Sequence, residues 1–406
     1  MGHFGYATVN CENFAGLFAT AKFQKTSIFA WLSFLSHDGY NRSVLPVVAS
    51  IAPCSNLFFP KAFRTSSAMK LRVGLVGLGH AWEVRHRPAL RALNDRFEVI
   101  AVCEQIGMRA EQAAREFGAQ AVDGFRALAR RTDIDAILML APQWYGCLPI
   151  LAACDTGKAV YCATNLEIDL EQAKRVKERV EQAGIAFMSE FPRRQSPATL
   201  RLKELIATRL GRPRLLFCHM RRPAEDAPGS SSRLGTQVSP TSDLVELVDW
   251  CCYVVGNSPS SVIGMKHFGI DGQQDDYQMM SLDFSSAAAV GAGPTAQISC
   301  GRYMPAAWQE AVAYRPPAAL QVACERGIAF VDLPNTLVWF DEAGRHQESL
   351  DSERPVGEQL LSQFHRAVTS LVRHASSLDD AYLALTVVHE ARVSQAQGRR
   401  ILLDKS

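Results

Sequence analysis

The sequence predicts an α/β protein with two unlike halves: a doubly wound parallel sheet, then an α+β region on a large, mostly antiparallel open sheet. Three observations predict it. From Met69 to Gly211, apolar runs of strand length alternate with helical patterns, one helix between successive strands, as a parallel sheet with crossover helices requires. A glycine-rich turn, "VGLVGLGHAWEV", joins the first strand to the first helix. Beyond Gly211 the strands are separated mainly by turns.

Leu71 to Val76 is the first strand, and Trp82 to Leu93 the first helix, carrying Pro88. Phe97 to Cys103 is the second strand, followed by the helix Met108 to Phe117, which Gly118 stops. A short strand near Ala121, a helix over Gly124 to Arg131, the strand Ala136 to Leu140, a helix near Cys147 to Thr156 and the strand Ala159 to Cys162 continue the alternation. Asp169 and Gln172 form a capping-box pattern for the next helix, and Gly184 ends it. The strand Ile185 to Glu190 leads to a helix capped by Ser196, with Pro197 in its first turn and Gly211 past its end.

Strands are then expected over 214–220, 261–268, 278–284, 295–301, 320–324 and 328–340. Between the first two lie the Pro/Gly/Ser-rich stretch "RRPAEDAPGSSSRLGTQVSP" and the helix Ser242 to Val255. Long loops inside a compact domain are functional or disordered. Helices near Gly357 to His374 and Ser377 to Gln397, then a strand Ile401 to Leu403, close the chain. The expected division is a nucleotide-binding domain over 69–190 and a substrate and oligomerisation domain over 191–406.

At 406 residues the chain exceeds a comfortable single core, and a net charge of +2 with 48% hydrophobic residues argues against nucleic-acid or membrane-surface partners. Eleven cysteines without C-x-x-C spacing read as small buried hydrophobes in a reducing, cytoplasmic setting, and no metal is expected. The first 68 residues carry two apolar patches, each too short to span a bilayer and too far in for a secretory signal. Met69 directly precedes the first strand. Translation is expected to begin there, residues 1–68 being an unstructured or mis-called extension.

Gly77 permits the tight turn of a dinucleotide fingerprint, and Gly79 lets backbone amides approach a pyrophosphate at the helix start. Glu104, at the end of the second strand, lies about where the fingerprint places its ribose-binding acid. A carboxylate there accepts from a ribose 2′-hydroxyl and repels a 2′-phosphate, so NAD is favoured, while Arg109 nearby leaves NADP open. The competing reading of Glu104 is a loop cap. One position departs from the rule: Trp82 stands where a third small residue belongs, so either the helix starts displaced or the cofactor lies differently.

From Met69 onward the sequence resembles the Gfo/Idh/MocA family, the glucose-fructose oxidoreductase and inositol dehydrogenase group. The resemblance rests on "VGLVGLGH", "RPALRAL", "VIAVCE", "GFRALARRTDIDAILMLAP" and "AACDTGKAVYC". Arg194 with Pro197, Asp249 and the tail "VVHEARVSQAQGRRILL" continue it. It implies a Rossmann domain, a C-terminal domain whose open sheet mediates homodimers or homotetramers, and NAD(P)-dependent oxidation or reduction of a sugar, polyol or similar small molecule. His80, Pro142 and Asn165 then join Gly77, Gly79, Glu104 and Arg109 at the cofactor.

The resemblance also exposes departures. Where family members carry Glu-Lys-Pro, the lysine acting as acid or base, this chain has Ala163, Thr164 and Asn165. Where a histidine usually lies three residues before the helix aspartate, it has Glu246 before Asp249. Glu246, Asp249 and Tyr253 share one helix face, which makes Glu246 the candidate base and Asp249 its orienter or a hydroxyl anchor, with Thr164 beside them. The alternative is a solvated polar stripe. Arg194, Glu190, Tyr253 and Trp144 are the candidate substrate residues, with Tyr145 as a weaker one, and His219 on its strand is either a replacement acid-base group or a structural histidine. Two functions follow: an NAD-dependent oxidoreductase with a changed proton relay, or a binding pseudoenzyme on the same scaffold.

Overall fold

The computed structural model describes residues 70–79, 81–163, 169–223, 240–268, 275–286, 291–304, 308, 310–311, 314, 316–351, 353–370 and 376–403. Residues 1–68, most of the stretch between Arg221 and Pro240, His80, Thr164 and Asn165 lie outside them.

The first sheet contains β1 (Leu71–Val76), β2 (Phe97–Cys103), β3 (Gln120–Ala121), β4 (Ala136–Met139), β5 (Ala159–Cys162) and β6 (Phe187–Ser189), in the order β3-β2-β1-β4-β5-β6 and parallel throughout. β4 and β5 are buried at every residue, because helices cover both faces of such a sheet. The crossovers are α1 (Arg87–Ala92), α2 (Gly107–Phe117), α3 (Phe125–Ala129), α4 (Pro142–Tyr145), α5 (Leu148–Asp155) and α6 (Leu170–Ala183). Asp169 caps α6, its carboxylate accepting from the Gln172 amide at 2.9 Å.

The first helix is not regular. Trp82–His86 forms a π-helical turn before α1, where the sequence suggests one helix from Trp82. The physical reason is bulk. The Trp82 ring is buried among β1, β2 and α2 side chains, 5.9 Å from Phe117, and the widened turn accommodates it between helix and sheet.

After α7 (Pro197–Leu205) comes β7 (Pro213–Pro223), then α8 (Pro240–Val255), β8 (Ser261–Phe268), β9 (Asp275–Asp283), β10 (Thr295–Met304), β11 (Leu320–Cys324), β12 (Ile328–Asp332), β13 (Thr336–Asp341) and β14 (Gly344–Ser349). With β15 (Ile401–Leu402) they make a nine-stranded sheet, order β14-β13-β12-β11-β7-β10-β9-β8-β15, in which the β7–β10 pair is parallel and the other pairs antiparallel. The expected single strand over 328–340 is instead a hairpin, split at Leu333–Asn335, where Pro334 has no N–H to continue a ladder. Its edge strand β14 escaped sequence reading because "GRHQES" is polar on both faces.

Two late helices join the halves. α9 (Val356–Thr369) packs against α1 and its π turn, burying Leu360, Leu361 and Phe364 in the core on one face of the parallel sheet. α10 (Ser376–Gln397) packs on β8 and α8 and also on β6 and α6, inside a second apolar core shared by both sheets.

What aligns the C-terminal edge of the parallel sheet is a close approach at the glycine turn. A Cβ on Gly79 would lie 2.1 Å from the Leu140 carbonyl oxygen, and Gly77, at φ 73°, would place one 2.5 Å from the Ala141 Cβ. Backbone cannot yield as a flexible side chain can. Gly79→Ala is therefore expected to destabilise the fold by about 1–3 kcal/mol, read as a lower urea midpoint, and an unchanged midpoint would contradict this packing.

Candidate functional site

The turn after β1 is tied to the end of β2. The Gly77 amide donates to the Cys103 carbonyl at 2.7 Å, and the Leu78 amide to Glu104 Oε2 at 2.5 Å. The other carboxylate oxygen, Oε1, accepts from the Gln105 amide at 2.8 Å and the Ile106 amide at 3.4 Å. Arg109 donates to the Leu78 carbonyl at 2.7 Å. Both the cap and the ribose readings of Glu104 thus start from one position. The carboxylate braces the turn by accepting from three backbone amides. Trp82 points into the core, so the departure from the small-residue rule leaves the crevice mouth unobstructed by its ring.

The residues present fit a dinucleotide. Two glycines whose Cβ positions are filled by neighbouring atoms, a carboxylate and a guanidinium converge on one helix start, which is the donor and acceptor set such a cofactor needs.

Beneath that helix lies a buried cluster that sequence reading did not assemble. Glu190, 1% exposed just past β6, accepts from Tyr161 Oη at 2.8 Å, lies 2.8 Å from His86 Nε2, and is paired with Arg85. Burial alone would raise its carboxyl, but His86, Arg85 and Tyr161 overcome this and hold it down at about 2. Burial also pushes the Tyr161 phenol well up, with the adjacent carboxylate adding to the shift. Glu190 was read as a substrate residue. It is enclosed in the fold and holds Arg85, whose side chain remains 28% exposed. His86 Nδ1 is buried with no hydrogen-bond partner among the described residues.

On α8, Glu246, Asp249 and Tyr253 share a face, as their spacing requires. That face meets the 3₁₀ turn Pro192–Gln195. Arg193 Nε donates to Glu246 at 3.1 Å and lies over the Trp250 ring. Arg194 forks onto Asp249, with Nε to Oδ2 at 2.6 Å, and reaches Asp380 of α10 at 2.7 Å. Its guanidinium also stacks over Tyr253, 5.3 Å from the ring centre.

Burial raises the Glu246 carboxyl, with Arg193 and Arg85 working against it. Burial likewise pushes Asp249 up to about 7, with Asp380 and Glu246 adding and Arg194 opposing. Arg194 holds its proton more tightly than usual, its own burial being outweighed by Asp249 and Asp380. Asp243, earlier on α8, takes Arg222 at 2.6 Å and Arg302 at 3.4 Å.

The predicted residues therefore separate. Gly77, Gly79, Glu104 and Arg109 come together at the turn, and Pro142 begins the short helix α4 that follows β4. Glu246, Asp249 and Tyr253 come together with Arg194, while Glu190 sits apart in its own cluster. Trp144 is half-buried in α4, its neighbour Tyr145 packs edge-on to Phe125, and His219 Nδ1 pairs with Ser299 Oγ at 2.8 Å within the sheet. Arg194 and Tyr253 also line a cavity of about 560 Å³ beside β6 and α9. Arg85 and His86 were missed because nothing local in "EVRHRP" announces that a π turn aims them at β6.

Comparison with known proteins follows the same division. Residues 71–191 match the family profile described as "Oxidoreductase family, NAD-binding Rossmann fold", designated GFO_IDH_MocA. Inositol 2-dehydrogenase 3 of Saccharopolyspora erythraea is 29% identical over 157 residues, 38% of this chain and 46% of that protein. The scyllo-inositol 2-dehydrogenase (NAD(+)) of Bacillus subtilis is 27% identical over 147 residues, covering 36% and 42%. The chain thus spans about half the length of such relatives or less. A levoglucosan dehydrogenase solved with NADH and levoglucosan superimposes with a TM-score of 0.70 at 18% identity, covering 83% of this chain and 100% of the other, a likeness of fold. Among the described residues no helix is long and apolar enough to cross a membrane.

Acid unfolding tests the Glu190 cluster. A carboxyl whose folded value lies near 2, against an ordinary 4.5, adds stability above pH 4.5 that disappears as the pH falls towards 2. Over that window the unfolding free energy of the wild type should fall more steeply than that of Glu190→Gln. Parallel slopes in urea titrations would mean that Glu190 is not a buried anion.

Proposed function

Through residues 71–191 the chain belongs to the Gfo/Idh/MocA oxidoreductase family, and from that premise we propose that it is an NAD(P)-dependent oxidoreductase of a sugar, polyol or related small molecule, with an altered proton relay. The observation that carries this reading is the convergence of Gly77, Gly79, Glu104 and Arg109 on one helix start, and the partly exposed Glu246 on α8 supplies a candidate base. When bound, the dinucleotide supplies the hydride acceptor or donor. Gly77, Gly79 and Arg109 hold its phosphate end, and Glu104 its ribose, which favours NAD over NADP.

The rest falls to the side chains. Glu246 exchanges the proton of the substrate hydroxyl, and burial supports this by lifting its carboxyl towards neutrality. Arg193 fixes the orientation of that carboxylate. Asp249 is not free to act alone: its fork with Arg194 ties α8 to the turn and to α10, making it the orienter of the face. The polyol class is carried over from the names of the relatives. A ligand-binding pseudoenzyme remains the second reading, favoured by the fact that Glu246 and Asp249 are both already held by arginines.

A second copy of the chain is the proposed partner. Leu215 of β7 and Ile263 and Met265 of β8 are exposed on the large sheet, and the intervening Gly264 backs onto Ala391 of α10, which puts Ile263 and Met265 on the open face. Sedimentation should give a dimer or tetramer, and a monomer at micromolar concentration would remove this claim.

Titration of the purified chain with NADH and NADPH, followed by energy transfer from tryptophan, should give saturable binding, tighter for NADH. Silence for both would sink the dehydrogenase reading. Given binding, Glu246→Gln should cut turnover of a polyol by about 10² to 10⁴ with cofactor affinity unchanged, and an unchanged rate would take Glu246 out of the mechanism.

A further inference from the structure

Asp243, one turn before Glu246 on α8, has more cations than it needs. Its carboxylate is buried, and one guanidinium would compensate it. It has two: Arg222 Nη2 lies 2.6 Å from Oδ1, and Arg302 Nη2 lies 3.4 Å from Oδ2. The sheet explains why both arrive together. β7 and β10 run parallel with Arg221 opposite Gly301, so the residues that follow, Arg222 and Arg302, are neighbours on the face that α8 covers.

The two arginines are not equivalent. The Arg302 side chain is 16% exposed and largely enclosed, whereas that of Arg222 is 40% exposed. Arg222 places Nε on Met220 Sδ at 3.3 Å and Nη2 on Asp243, and among the described residues its Nη1 donates to nothing. A brace between helix and sheet needs one cation. Arg222 adds a second, with donors left over, where solvent reaches it.

That place adjoins the candidate base. Asp243 and Glu246 are three residues apart on α8, a spacing that puts their Cβ atoms about 5–6 Å apart on one face. Glu246 is partly exposed and is held by Arg193 at 3.1 Å. Along one turn of helix, three guanidiniums therefore stand against two carboxylates, and the surplus is positive.

We propose that Arg222, with Arg302 behind it, binds an anionic group of the substrate, so that the site takes acidic sugars, carboxylated or phosphorylated, in preference to neutral polyols. The inference rests on the dehydrogenase reading above and narrows its substrate class. A guanidinium meets a carboxylate or phosphate with two parallel N–H···O bonds, which a neutral hydroxyl cannot accept. With the acid group at Arg222, a hydroxyl-bearing carbon a few bonds along the sugar comes to Glu246. Arg222 is a binding residue and takes no part in the proton or hydride step.

The test uses the purified chain, with D-glucuronate and glucose 6-phosphate as acidic probes and D-glucose as their neutral counterpart. Calorimetry reads the affinity for each with and without NADH, and NAD-linked turnover reads kcat/KM. The wild type should favour at least one acidic probe over glucose by about 10- to 100-fold, the range that charge-assisted hydrogen bonds supply. That preference should shrink as salt rises. Preference for glucuronate alone assigns the site to a carboxylate, and preference for glucose 6-phosphate alone assigns it to a phosphate. Arg222→Gln should bring the acid-to-neutral ratio near unity, mainly through KM, and Arg222→Lys should restore part of it.

Equal affinity of the wild type for all three sugars, or binding of none, overturns the proposal whatever the variants do. An acid preference that survives intact in Arg222→Gln overturns it as well. Acid-selective binding by a chain that takes neither NADH nor NADPH is a different result: the anion site stands, and the dehydrogenase reading falls.

Discussion

A carboxylate withdrawn from water must be met by donors, and Glu190 is met by three that come from places far apart in the chain: Arg85 and His86 after the glycine turn, and Tyr161 on β5. Much of the cleft's arrangement depends on that requirement. It joins the first helix to the C-terminal ends of β5 and β6, and it fixes the exposed end of Arg85. Replacing one partner would strand a buried charge, so the cluster holds as a unit.

A second constraint of the same kind works on the other wall. Arg194 serves Asp249 and Asp380 together, binding the 3₁₀ turn to α8 and to α10, the helix that packs on both sheets. Each wall is thus held by buried ion pairs, while the apolar cores fix the distance between them. On the same helix Glu246 is held by Arg193, and burial makes its carboxyl less acidic.

The departures from the family pattern read differently once the fold is known. Trp82, where a small residue was expected, does not block the cofactor crevice, because its ring turns into the core and the helix widens around it. At the places where family members carry a lysine and a histidine, the sequence has Thr164 and Glu246.

The alternation of strands and helices, the glycine turn, the caps at Asp169 and Ser196, and the shared face of Glu246, Asp249 and Tyr253 were legible because each depends on residues within a turn or a strand of one another. β14 and the break at Pro334 were not, since a polar edge strand carries no apolar period. The pairing of Arg85 and His86 with Glu190, more than a hundred positions away, was illegible for a different reason. The sequence by itself determined the two sheets and the cofactor turn, because apolar period and glycine sterics act locally. Which charges meet was decided only by the tertiary structure, because a buried ion pair depends on where the packing of Trp82, α9 and α10 brings distant segments together.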